Sequence, residues 1–166
     1  RKTMQMDQWM YMMGLLGLLE DEKSGFTIRE ARLCYVFAQM RVIDDFKDVE
    51  KYESLNFIDF LEALARCAEC FPLPALSVIK KEGYISGLAY MTAVRADECD
   101  IGYPNRDSRF FIKPKTRPLA LKLQDFLDYL FRCVFVHMGY SDEDYTLEKA
   151  ESAFKSLRKK RKDGGG

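Results

Sequence analysis

The sequence predicts an all-α fold. Apolar residues recur at helical spacing along most of the chain, a helix-start signature precedes one of those runs, and Pro and Gly punctuate the stretches between them. No run alternates apolar and polar residues over the length of a strand.

Residues 4–20 read as a first helix, apolar almost all round in its second half. Residues 28–41 read as a second, with a stripe that includes Leu33, Phe37 and Met40. Its start is marked by Thr27-Ile28-Arg29-Glu30, the T-x-x-E form of a capping box, in which Glu30 reaches back to the amide of the cap. Residues 42–53 are a charged connector. Residues 57–70 form a third helix, stopped by Pro72 and Pro74, which cannot donate a backbone hydrogen bond. Phe60 and Leu61 are expected to be buried where this helix meets the preceding unit. Short helices at 75–81 and 85–94 flank Gly83. Gly102, Pro104, Pro114 and Pro118 then mark a long loop or internal boundary between 96 and 118. Residues 119–138 carry the clearest periodicity, with Leu119, Leu123, Phe126, Leu127, Leu130 and Val134 on one face. A last helix runs over 147–160. The chain divides into residues 1–72, a pair of helix-loop-helix units; 73–118, a linker with short helices and a basic loop; and 119–163, a C-terminal helical hairpin packed on the first part.

The run ESLNFIDFLEALA, Glu53 to Ala65, resembles the end of an EF-hand loop entering its exit helix. Leu55 takes the β-bridge position, Asp59 the closing acid, and Phe60 and Leu61 the apolar helix start. Counting back from Asp59 puts Asp48, Glu50, Tyr52 and Glu53 at the first, third, fifth and sixth loop positions. A calcium loop needs oxygen ligands at the first three of these, glycine at the sixth and a bidentate Glu at the twelfth. Upstream, matching Phe26 to the β-bridge position puts Glu30 twelfth, but Leu19, Asp21, Lys23 and Ser24 then fill the first, third, fifth and sixth. The resemblance covers residues 4–70 and implies an EF-hand superfamily pair in its degenerate, non-calcium-binding form. No metal is expected; Asp48, Glu50, Asp59, Asp21 and Glu30 are what remains of the cages, and Glu30 is read as a cap. The C-terminal part echoes the theme, with Tyr145-Thr146-Leu147 matching Phe26-Thr27-Ile28, and Lys149 falling where Glu30 stands. FIDFLEALARCAE also resembles stretches of EF-hand-like regions in ciliary and flagellar proteins. That resemblance implies a cytoplasmic, cytoskeletal scaffold of cilium or flagellum.

Lys plus Arg and Asp plus Glu each number 26, which removes any whole-molecule attraction to nucleic acid or an anionic membrane. The cysteines, at 34, 67, 70, 99 and 133, are odd in number and sit mostly in apolar helical patterns, predicting free thiols in a reducing compartment. No secretory signal is visible, and the longest apolar run, Trp9 to Leu19, is too short to span a bilayer. Cys67, Cys70, Cys133 and His137 are zinc-type ligands, but the two pairs are far apart and on helices rather than turns. There is one histidine, no Gly-rich phosphate loop, no nucleophile elbow and no H-E-x-x-H, so a non-enzyme without cofactor is expected.

Two features point to partners. Met4, Met6, Met10, Met12 and Met13 crowd the first thirteen residues with Trp9. Methionine re-packs around varied helices, so Met6, Trp9, Met10 and Met13 are candidates for docking an amphipathic helix, the alternative being that they fill their own core. KSLRKKRK, Lys155 to Lys162, exceeds what a helix C-terminus needs for its dipole. Lys159, Lys160, Arg161 and Lys162 are therefore candidates for an acidic surface such as a tubulin tail. A second basic stretch, Arg106 to Arg117, surrounds Phe110 and Phe111 and reads as a tethered loop docking on the domain itself or on a protein, rather than on nucleic acid. The function expected is a non-catalytic protein-protein interaction scaffold. The rival is a calcium-responsive sensor, opposed by Leu19, Lys23, Tyr52 and Glu53.

Overall fold

Two pairs of residues far apart in the chain make the only strands among the described residues, and both strands run straight into helices. The computed structural model describes residues 3–19, 26–39, 53–96, 98 and 117–163. In these, β1 (Met4–Gln5) pairs antiparallel with β2 (Ser54–Leu55), Met4 opposite Leu55 and Gln5 opposite Ser54. Helix α1 (Met6–Leu15) follows β1, and α3 (Phe57–Cys70) follows β2. The start of each is fixed by a side chain three residues past the cap: Gln8 Oε1 accepts from Gln5 N and Asp59 Oδ2 from Asn56 N, both at 3.0 Å. Asn56 Oδ1 in turn accepts from Ile58 N at 2.8 Å and Asp59 N at 3.2 Å. Such caps satisfy amides that have no partner within the helix.

Between these lies α2 (Ile28–Ala38), whose predicted capping box is present: Thr27 N donates to Glu30 Oε2 at 2.6 Å and Glu30 N to Thr27 Oγ1 at 3.2 Å. After α3 come α4 (Leu76–Lys81), α5 (Gly87–Arg95), α6 (Leu119–His137), a 3-10 turn at Asp142–Asp144 and α7 (Leu147–Asp163). The described residues are thus mostly helical, as expected.

Helices α1, α2 and α3 wrap Trp9 and Met13, which have no exposed surface. The Trp9 indole donates to Ala31 O at 3.0 Å. The Tyr35 hydroxyl lies 3.0 Å from Met4 O and 2.8 Å from Glu53 O, tying α2 to β1 and to the residue before β2. The core continues through Phe71, whose ring meets Phe26, Phe126 and Tyr129 at 5.9, 5.5 and 5.2 Å, and so joins α3 to α6. Helices α4 and α5 add Ile79, Tyr90, Met91 and Val94 to the same cluster. Arg95 binds Gly17 O and, at 3.0 Å, the Tyr129 hydroxyl, which holds the turn after α1 against α5 and α6.

A smaller cluster of Phe135, Ala150 and Ala153 closes the α6–α7 hairpin. Asp142 locks it to the rest of the fold, accepting from Ser86 Oγ at 2.5 Å and Arg132 Nη1 at 2.9 Å. Arg132 also bonds Asp128 at 2.8 Å and stacks over Tyr145 at 4.3 Å.

Three sequence expectations change. Helix α2 buries Ala31, Cys34, Tyr35 and Ala38, not the predicted stripe; Phe37 is 61% exposed, Leu33 is half-buried and Met40 lies outside the described residues. Small side chains on that face let α2 sit close on α3. Phe60 is half-buried against Trp9, whereas Leu61 is 48% exposed, because no described element covers the first turns of α3 on that side. Phe26 belongs to no strand. It is buried just ahead of the α2 cap, and the residue that bridges to Leu55 is Met4.

Candidate functional site

The acids expected at the closing positions of the two loops are engaged elsewhere. Glu30 and Asp59 are both buried, 9% and 3% exposed, and each accepts from the amide of its own helix cap. A carboxylate held there stabilises a helix start through hydrogen bonding and the helix dipole. Asp21, Asp48 and Glu50, with Lys23 and Tyr52, lie outside the described residues. Among the described residues no three His, Cys, Asp or Glu side chains gather as a metal-binding group.

The zinc-type pairs are likewise apart. Cys67 and Cys70 of α3 face Cys34 of α2, whose thiol contacts both. Hydrogen bonding to Cys67 raises the Cys34 thiol well above the ordinary range. Hydrogen bonding to Cys34, with burial, does the same to Cys70. Cys133 sits beside Tyr129 and is pushed up by burial to about 11, while His137 is exposed on the last turn of α6. A thiol raised in this way is protonated at neutral pH and is a poor nucleophile. Cys99 lies outside the described residues.

The Met-rich helix is mostly core. Trp9 and Met13 are fully buried, so the folded chain offers neither to a partner, and Met6 and Met10 are half-buried against the same core. What α1 exposes instead is Tyr11, at 70%, and Leu15, at 45%. Helix α3 exposes Phe57 at 70%, Ile58 at 67% and Leu61 at 48%. Phe57 and Leu61 are in line with Leu64 and Ala68, one row of a helix, and the row is buried only in its C-terminal half. There α6 packs on α3, with Phe126 and Tyr129 on Phe71 and Lys122 Nζ bonded to Glu69 at 3.1 Å. The sequence signal for this open surface was the length of that row, longer than one packing partner covers.

The basic tail is helical in its backbone: α7 runs to Asp163, so its last turns carry Lys159, Lys160, Arg161 and Lys162. Of the second basic stretch, Arg117 bonds Asp125 at 2.7 Å and serves packing; Arg106 to Lys115, with Phe110 and Phe111, lie outside the described residues. An open cleft of about 400 Å³ beside the hairpin is lined by Phe135, Tyr140, Asp144, Lys149, Ser152, Ala153 and Ser156. Its two charges are already paired, at 3.3 Å.

Comparison of the chain with family models, curated proteins and solved structures returns no match. No helix among the described residues is long and apolar enough to cross a membrane.

Proposed function

We propose that this protein is a non-catalytic interaction module, an EF-hand-like scaffold whose loops do not hold calcium, acting in a cytoskeletal assembly of the ciliary or flagellar kind. The observation that carries this reading is the use of Glu30 and Asp59 as buried helix caps, beside exposed apolar residues on α1 and α3. The basic end of α7 supports an acidic partner surface such as a tubulin tail, since clustered cations steer encounter and lose that effect as salt rises.

Calorimetric titration with calcium, against magnesium in the same buffer, tests the first half of the reading. No saturable heat and no shift in melting temperature are expected at millimolar calcium, because stabilisation by a ligand requires affinity for the native state. A saturable shift abolished by Asp59→Ala would replace the scaffold with a calcium sensor. Sedimentation with polymerised tubulin at two salt concentrations tests the second half. Replacing Lys159, Lys160, Arg161 and Lys162 with Gln is expected to weaken binding and flatten its salt dependence without changing the fold. Equal binding by both proteins at low salt removes the tail from the reading.

A further inference from the structure

Three thiols meet inside the α2–α3 interface, and solvent reaches them unequally. Cys34 of α2 contacts both Cys67 and Cys70, which lie three apart on α3 and so on one face of it. Cys34 and Cys67 are 4% and 0% exposed, whereas Cys70 is only partly buried. A dissolved reagent therefore reaches Cys70 first, and the thiol that Cys70 meets across the interface is Cys34. All three are free thiols in this structure.

The packing around them suits a covalent link. No other pair of described elements packs as extensively as α2 and α3, and Ala31 and Ala38 flank Cys34 on the buried face of α2. Helices that meet through small side chains approach to about 8 Å between axes, with Cα atoms about 2.3 Å from each axis. Facing positions then fall within the Cα separation of a disulfide, about 4.4–6.8 Å.

We propose that Cys70 and Cys34 are a reversible dithiol–disulfide pair that ties α2 to α3 when the chain meets a small-molecule disulfide. The Cys70 sulfur, as thiolate, attacks one sulfur of the reagent, and the other half leaves as a thiol carrying the proton that Cys70 gave up. Cys34 then attacks the Cys70 sulfur of this mixed disulfide, and the second half leaves in the same way. The pair loses two electrons and two protons, and the reagent is reduced to two thiols. Hydrogen bonding among the thiols, with burial, keeps Cys34 and Cys70 protonated at neutral pH, so the bond forms slowly. For the same reason neither sulfur is a good leaving group, and the bond resists reduction once made. It closes a loop that includes residues 40–52, which restricts the unfolded chain and stabilises the fold. The pair stands whether or not the interaction-module reading holds.

The full chain is incubated without denaturant in millimolar glutathione disulfide, then blocked with an alkylating agent and weighed intact. Loss of two of its five thiols is expected, within a monomer and without retained glutathione. A protease that cleaves after Glu69 separates Cys67 from Cys70 and is expected to leave the Cys34 and Cys70 peptides joined. The melting temperature is expected to rise by several degrees and to return on treatment with dithiothreitol. Cys34→Ala is expected to stop at the first step, with one glutathione on Cys70, and Cys67→Ala to form the link as the wild type does. Circular dichroism checks that each variant folds. Five free thiols after prolonged incubation, a link from Cys34 to Cys67 or Cys99, or cross-linked dimers would each overturn the proposal. So would a glutathione adduct on Cys70 that persists in the wild type.

Discussion

Gly17 shows how one residue holds two ends of the molecule together. It follows α1 with φ at +65°, a left-handed conformation that costs a side-chain-bearing residue about 1–2 kcal/mol. A Cβ there would also stand 3.2 Å from Arg95 Nη1, whose guanidinium already binds the Gly17 carbonyl. Gly17→Ala is therefore expected to destabilise the fold by about 1–3 kcal/mol in urea denaturation. Gly139, also at positive φ but with open space at its Cβ, is expected to cost only the backbone part. Neither Arg95 nor its partners were legible in the sequence. Arg95 reaches residues on α6 and after α1, and no local pattern encodes a contact between segments so far apart. By contrast the Thr27–Glu30 box was legible, because both of its members sit within one helical turn.

At the scale of elements, helix existence was written locally. Asn56, Asp59, Pro72 and Pro74 bracket α3, and its bounds match the reading from sequence. Which face each helix buries was not. Helix α2 hides Ala31, Cys34 and Ala38 and leaves Phe37 outside, an outcome set by how closely α3 approaches rather than by hydrophobicity along the chain. The Met4–Leu55 bridge was out of reach for another reason, since strands of two residues have no period to detect. Docking of the C-terminal hairpin depends on a link of this long-range kind. Ser86 both caps α5, accepting from Ala89 N at 3.0 Å, and donates to Asp142 at 2.5 Å while fully buried. A double-mutant cycle on Ser86→Ala and Asp142→Ala is expected to give a coupling of about 0.5–3 kcal/mol, the range for residues in one polar network. Additive effects would mean that Ser86 acts on α5 alone.

For the whole molecule, burial of acids that ionise at high pH is expected to weaken the fold as pH rises. Burial lifts Cys133 from 9.0 to about 11, and Tyr129 is lifted by burial as well. The unfolded chain then releases these protons at lower pH than the native one, so stability present below pH 9 is lost as pH rises from there through the folded value. For Cys133 alone the loss approaches about 1.4 kcal/mol for each pH unit between 9 and 11. Urea midpoints measured across that window are expected to fall, and the fall to be shallower in Cys133→Ala. A midpoint that is flat to pH 11 would mean that Cys133 is not buried.

Trp9 is the one tryptophan in the chain, and it lies at the centre of α1, α2 and α3 with its indole hydrogen-bonded to Ala31. The α6–α7 hairpin, with its separate cluster around Phe135, has no such chromophore. Emission from the intact protein therefore comes from an apolar site at short wavelength, and its red shift on unfolding reports one half of the molecule. Far-ultraviolet ellipticity follows every helix. The offset between the two melting curves is a direct optical reading of whether the hairpin leaves before the rest or with it.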